Sequence, residues 1–212
     1  MTAGIVANGA ISDVAFVRES LMDCEYLIAC DGGLWWFSEL GMEPDCIVGD
    51  LDSISGSVLV MFDRVPVLRF SAQKEETDLE LAVAHACDQG AEDILILGGL
   101  GGRFDHQLGN THVLAQAVRR GITAELRDEN TRVWVVNDHC RLHRRDGTLI
   151  TLFPLGTSAE GIVTEGLRFP LKDESLHAGY ARGVSNEIND ESAVVSLKNG
   201  MLVVIQTREG EE

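Results

Sequence analysis

TDLELAVAHACDQGAEDILILGGLGG (residues 77–102) decides the fold. Thr77 and Glu80 stand at capping-box spacing, and Leu79, Ala82, Val83 and Ala86 repeat at helical spacing, which predicts a helix over 77–89. Gly90 ends it. Ile94 to Leu97 is then an unbroken apolar run, the mark of a strand buried on both faces. It runs into the glycines of 98–102 and a second long helix, about 105–120, stopped by Gly121. Helix, buried strand, Gly-rich turn and helix in that order predict a parallel sheet covered on both sides.

Working outward, the same alternation fills the first half of the chain. Gly4 to Ala7, Tyr26 to Cys30, Cys46 to Val48 and Val65 to Phe70 read as strands, with a helix from about Leu34. The pattern changes after Glu129. Val133 to Val136, Leu149 to Phe153, Ala193 to Leu197 and Met201 to Ile205 are strand-like, with no long helix between them. Asn199-Gly200 reads as the turn of a hairpin joining the last two. The expected fold class is an α/β N-terminal domain with a mainly parallel sheet (1–129), followed by a small all-β sandwich (130–212).

The 17 basic and 34 acidic residues leave a net charge of −17. Such a surface repels phosphate backbones and excludes a general nucleic-acid partner. A nucleotide ligand stays open if Mg²⁺, Arg or Lys supplies local positive charge. The odd set Cys24, Cys30, Cys46, Cys87 and Cys140, with no CxxC pair, reads as reduced thiols of a cytoplasmic protein. No stretch reads as a signal peptide or membrane span.

Ligands of parallel sheets bind beyond the carboxyl ends of the strands. Asp31, Asp50, Asp52, Asp78 and Asp105 all fall near that edge. One such Asp is ordinarily a turn former or cap. A crowd of them repels itself unless a cation is present. Asp50 and Asp52 are two apart, so in an extended segment both point the same way and suit Mg²⁺. The 98–102 loop matches neither a P-loop nor a dinucleotide fingerprint. Its glycines and the following helix start still favour phosphate, and Arg103 adds a planar fork for its oxygens. Lys74 is a second candidate cation. His106 carries a proton or holds the loop; His85 reads as structural, and Trp35 and Trp36 as core or interface. These residues point to metal-assisted phosphoryl chemistry. They leave the acceptor alcohol open, a hydroxymethyl pterin among the candidates, with a non-catalytic nucleotide-binding protein as the rival class.

The ordered segments Asp31-Gly32-Gly33, Gly49-Asp50-Leu51-Asp52-Ser53, Lys74 to Glu80, Gly101-Gly102-Arg103-Phe104-Asp105-His106, Gly166 to Leu171 and Ser185-Asn186-Glu187 resemble the thiamine pyrophosphokinase family. The resemblance implies transfer of a diphosphoryl group from Mg-ATP to the thiamine hydroxyl. It implies a homodimer with thiamine between subunits. It implies Asp50, Asp52 and Asp78 at Mg²⁺, and Asp31, Gly32, Lys74, Thr77, Gly101, Gly102 and Arg103 at ATP. Arg103 and Asp105 would lie at the phosphates or the hydroxyl, and Ser185, Asn186, Asp105 and His106 at thiamine. The chain departs from the family in having Glu75 after Lys74 and no aromatic residue in 188–192, where eukaryotic members carry one.

Overall fold

The computed structural model describes residues 1–70 and 75–208. The chain divides into two units, Met1–Glu129 and Asn130–Glu212.

The first unit runs β1 (Thr2–Val6), α1 (Val14–Leu21), β2 (Tyr26–Cys30), a 3₁₀ turn (Asp31–Gly33), α2 (Leu34–Leu40), β3 (Cys46–Gly49), α3 (Gly56–Met61), β4 (Val67–Arg69), α4 (Asp78–Asp88), β5 (Asp93–Leu97), α5 (Phe104–Arg119) and β6 (Thr123–Arg127). The six strands are parallel, in the order β4-β3-β2-β1-β5-β6. Ile5, Ile28, Ile47, Ile96 and Leu126 are fully buried because both faces of the sheet are covered. Val17, Leu21, Leu34 and Phe37 from α1 and α2 cover one face. Leu79, Ala82, Val83 and Ala86 line the buried side of α4, and Val113, Leu114 and Ala117 that of α5. Transfer of such side chains from water stabilises by about 1.5–3 kcal/mol each for the larger ones.

Helix α4 starts where its cap dictates. The Thr77 hydroxyl accepts from Glu80 N–H (3.2 Å), and the Glu80 carboxylate accepts from Thr77 N–H (2.7 Å). The other Glu80 oxygen accepts from Gln116 Nε2 at 3.0 Å, tying α4 to α5. His85 behaves as a structural residue. It shares a 3.0 Å hydrogen bond with the Tyr26 hydroxyl, and burial holds its pKa down. Trp36 is buried in the core, whereas Trp35 is 47% exposed.

The second unit is all β: β7 (Thr131–Val136), β8 (His139–His143), β9 (Thr148–Pro154), β10 (Ser158–Glu165), β11 (Lys172–His177), β12 (Ser192–Ser196) and β13 (Leu202–Arg208). Antiparallel layers β7-β13-β9 and β11-β10-β12-β8 enclose one core, with Ile150, Leu152 and Val204 from the first facing Leu142, Ile162 and Val195 from the second.

The expected hairpin does not form. Strands β12 and β13 belong to different layers. Asn199-Gly200 is the corner between them, pinned to β10 by hydrogen bonds between Asn199, Lys198 and Glu160. Gly200 has φ +90°, and a Cβ there would meet Ser158 O at 2.5 Å. Splitting the strands lets Ala193, Val195, Leu202 and Val204 face one another across the core. Side-by-side pairing would leave that burial unmade.

Candidate active site

Strand order reverses direction at β1, whose neighbours are β2 and β5. The crevice of an open parallel sheet lies at such a switch point. The loops leaving β1 and β5 meet here, backbone against backbone. Ala7 N–H donates to Leu97 O (2.8 Å) and Gly9 N–H to Gly98 O (2.9 Å). A Cβ on Gly9 would sit 2.1 Å from Gly98 O, and one on Gly98 would sit 2.4 Å from Ala7 O. Together they floor a cleft of about 800 Å³.

Asp31, Thr77, Asp78, Gly101, Gly102, Arg103, Asp105 and His106 line this cleft, so the structure brings most of the sequence-predicted set together. Gly32 sits behind it, against the Asn8 side chain. Lys74 lies outside the described residues. Sequence reasoning missed Asn8 and Gly9, Ser53, Asn110 and His112. Asn8-Gly9 directly after the first apolar run was the available signal, had the switch point been placed at β1. Asn110 Nδ2 donates to Gly99 O at 2.8 Å and so braces the Gly-rich loop from α5.

The carboxylates group differently from the expectation. Oxygens of Asp31, Asp50 and Asp52 lie within 4.8 Å of one another. Asp31, expected at ATP, thus joins the pair expected at the metal. Asp78 lies outside that trio but near enough that its charge helps raise the Asp31 pKa. Nor do Asp50 and Asp52 converge through an extended segment. Leu51 has φ 70°, and Asp52 N–H donates to Asp50 Oδ1 at 3.0 Å, so a tight turn gathers them. Asp31 itself has φ 48°. Left-handed conformations at a Leu and an Asp cost of order 1 kcal/mol each and collect at functional sites. Gly49 (φ +150°) makes room, since a Cβ there would press on the Asp31 Cβ at 3.2 Å.

Asp31 Oδ1 is buried without a hydrogen-bond partner. Burial pushes this carboxyl's pKa up, and Asp78 and Asp50 add to the rise. Hydrogen bonds from Ser53 and Gly32 oppose it incompletely. An orphaned anionic oxygen in a nest of carboxylates is unfavourable by itself. The donor set is all oxygen, which fits a hard divalent cation.

At the start of α5 the Arg103 guanidinium grips Asp105 with two hydrogen bonds, Nε to Oδ1 at 3.1 Å and Nη2 to Oδ2 at 2.6 Å. These bonds raise the Arg103 pKa and lower that of Asp105. Both side chains are largely exposed, so the pair is a solvent-screened fork open to exchange. Thr77 lines the cleft with its hydroxyl and N–H already committed to the helix cap.

In the second unit, Ser185 has φ 58° and lines a groove of about 450 Å³ with Thr148, Glu187 and Arg144. The Asn186 side chain is occupied at both ends. Its Nδ2 donates to Phe169 O (2.8 Å), and its Oδ1 accepts from Phe169 N–H (3.0 Å) and Glu187 N–H (2.9 Å). It fixes the 167–169 loop, where Arg168 pairs with Glu187 at 2.6 Å.

Residues 17–126 match the family model "Thiamin pyrophosphokinase, catalytic domain", and residues 139–202 match "Thiamin pyrophosphokinase, vitamin B1 binding domain". The chain belongs to the thiamin pyrophosphokinase family. It is an enzyme of the kinase class, and the activity of this family is the formation of thiamine diphosphate with ATP as co-substrate. Thiamine pyrophosphokinase of Bacillus subtilis strain 168 is 26% identical over 210 residues, which cover 97% of this chain and 98% of that relative. Thiamine pyrophosphokinase 1 of Arabidopsis thaliana is 29% identical over 188 residues, 78% of this chain and 66% of the plant protein. The crystal structure of the Bacillus subtilis enzyme superposes with a TM-score of 0.88 at 25% identity, covering 99% of this chain and all of that one. A family member thus shares the fold, and the cleft at the β1/β5 crevice lies within the matched catalytic domain except for residues 7–10 of the loop after β1.

Proposed function

We propose that the cleft binds Mg-ATP and that the chain moves the β,γ-diphosphoryl group of ATP onto the thiamine hydroxyl. The observation that carries this is the trio Asp31, Asp50 and Asp52, with its buried, unpartnered oxygen beside a Gly-rich loop. Those three would hold Mg²⁺, with Asp78 adjacent. Mg²⁺ bound there would neutralise triphosphate charge and polarise the phosphoryl oxygens.

The chain's own groups account for the rest. Glycine N–H groups of 98–102 and the start of α5 face the phosphates. Arg103 leaves Asp105 for a phosphate oxygen, exchanging one charge-assisted fork for another, and steadies the charge that spreads in the transition state. Asp105, so released, stands ready to take the hydroxyl proton, with His106 beside it. The thiamine oxygen bonds to the β-phosphorus. The bond from that phosphorus to the α,β-bridging oxygen breaks, and AMP departs with the electron pair. Ser185 contacts thiamine in this reading, and Asn186 acts on it by holding the 167–169 loop.

A homodimer with thiamine between subunits completes the reading. Exposed Phe169, Tyr180 and Val184 on the second unit supply apolar surface for a second copy. None of the five cysteines is in a disulfide, which suits a cytoplasmic enzyme. Among the described residues no helix is long and apolar enough to cross a membrane.

The test is incubation with Mg-ATP and thiamine, with nucleotides and thiamine esters resolved by chromatography. AMP formed in step with thiamine diphosphate is the expected result. ADP as product refutes diphosphoryl transfer, and turnover with a hydroxymethyl pterin alone reassigns the acceptor. Asp50→Ala and Asp52→Ala should each cost at least about 10³-fold in kcat with the fold intact. Wild-type kinetics in either would remove the metal assignment.

A further inference from the structure

The loop after β1 forms half of the cleft floor. Its entrance is fixed at Ala7 and its middle at Gly9, by the bonds to Leu97 O and Gly98 O. Its exit is fixed by one carboxylate more than a hundred residues away. Glu129 Oε1 accepts from Ser12 N–H (2.8 Å), the Ser12 hydroxyl (2.9 Å) and Asp13 N–H (3.0 Å). Asp13 in turn caps α1 by accepting from Ala15 N–H at 2.8 Å. Between these anchors only Asn8, Ala10 and Ile11 are left to vary, and Asn8 and Ala10 are wall residues of the cleft.

We propose that Glu129 is a positioning residue for ATP: it touches nothing in the cleft itself but fixes the 8–11 wall in its binding conformation. The inference rests on the reading that ATP occupies this cleft. Three donors converge on one oxygen, and all three come from consecutive residues at the loop's exit. Bonds to a charged acceptor are roughly twice as strong as neutral ones. Without the carboxylate, three donors at the exit lose their partner, and the wall has to be ordered anew each time nucleotide binds. Such ordering is charged against affinity. The thiamine site and the carboxylate trio stand on other elements, so the effect falls on ATP.

The experiment compares wild type, Glu129→Gln, Glu129→Ala and Ser12→Ala in steady-state kinetics, with titration of a non-hydrolysable ATP analogue in the presence of Mg²⁺. Glu129→Ala should raise the KM for ATP, and the analogue Kd, by about ten-fold, with kcat and the thiamine KM within about two-fold. Glu129→Gln keeps an acceptor oxygen without its charge and should fall between. Ser12→Ala loses one of the three bonds and should show a smaller rise. A merely structural tie would lower the melting temperature and move both substrates alike. Unchanged ATP affinity in folded Glu129→Ala overturns the proposal. So does equal loss for thiamine and ATP. Should Glu129→Ala fail to fold, an unchanged ATP KM in both Glu129→Gln and Ser12→Ala overturns it as well. A wild-type chain that neither binds nor turns over ATP removes the cleft reading beneath it. Wild-type activity with indifferent variants removes only the role of Glu129.

Discussion

Replacing Asp31 with Asn removes one negative charge and keeps the side chain's shape and its tolerance of the left-handed backbone (φ 48°). The oxygens of the trio lie within 4.8 Å. At that separation two unit charges repel by about 0.9 kcal/mol in water, and by about 3.5 kcal/mol at an effective dielectric of about 20. Asp52 is exposed and the other two are half-buried, so the lower figure governs. Two pairs involve Asp31, giving about 2 kcal/mol of relief. An amide nitrogen brought into the place of the partnerless Oδ1 takes back about 1 kcal/mol. Without metal, the variant should be more stable by on the order of 1 kcal/mol, or about 2–4 °C in Tm for a chain of this size. The Asp31 pKa is raised, first by burial and then by Asp78 and Asp50, against hydrogen bonds from Ser53 and Gly32. A carboxyl with a raised folded pKa contributes stability that is fully present below its ordinary value of 3.8 and lost as pH rises through the folded pKa. The variant's advantage should therefore be full at neutral pH and vanish below that ordinary value. Mg²⁺ should reverse the order, because a cation at 100 times its Kd stabilises the wild type by about 2.7 kcal/mol and the variant has lost one ligand. Thermal denaturation at pH 7 in EDTA and in Mg²⁺, repeated near pH 3.5, reads all three effects. A variant less stable than wild type in EDTA, or one equally stabilised by Mg²⁺, would refute the reasoning.

Arg103→Ala should lower kcat by about 10²–10³-fold, and Arg103→Lys should recover only part of it, because a point charge does not replace the fork. Steady-state kinetics of both variants would show it. Thr77→Ala deletes half of the capping box and should cost about 1 kcal/mol in denaturant unfolding. Asn186→Ala frees the Phe169 backbone, with a loss of about 1–2 kcal/mol in stability and a rise in the thiamine KM that the ATP KM does not share. Burial pushes the Cys140 thiol up to about 12, so at pH 8 its thiolate is scarce. Mass spectrometry after iodoacetamide treatment should find Cys140 unmodified in the native protein and labelled once it is unfolded.

Elements whose pattern encodes burial were legible in the sequence. Strand β2 has the expected bounds, Tyr26–Cys30, and α4 begins one residue after its capping Thr77. Elements without such a pattern escaped. Helix α3 has only six residues and buries none of them fully, with Val58 and Leu59 packed at the edge of the core, so it is too short to show a helical period. Strand β11, Lys172–His177, buries only Leu176 and is polar along the rest. Strand β10 is interrupted by Gly161 (φ +66°) and register shifts. Helix α1 could have been found from Asp13 as its cap and from Val17 and Leu21 four apart. At the site, the acidic residues were visible as types. Their grouping was not, because the turn at Leu51 replaces the extended geometry that their spacing suggested. The hold of Glu129 on Ser12 spans too much chain for any local pattern to announce it.

The floor of the cleft is made of main chain: where the Ala7–Gly9 and Gly98 segments meet, the nearest atoms are carbonyls and amides. Such a surface demands little of the amino-acid alphabet beyond the absence of a Cβ at the points of contact. Its shape is therefore heritable almost independently of the side chains around it. A relative in which only a quarter of the residues are the same still overlays this chain at a TM-score of 0.88. Lineages built on such a floor are free to rewrite the walls above it, and so to retune affinity or acceptor preference, without first having to reinvent the ground on which, in the function proposed above, the nucleotide rests.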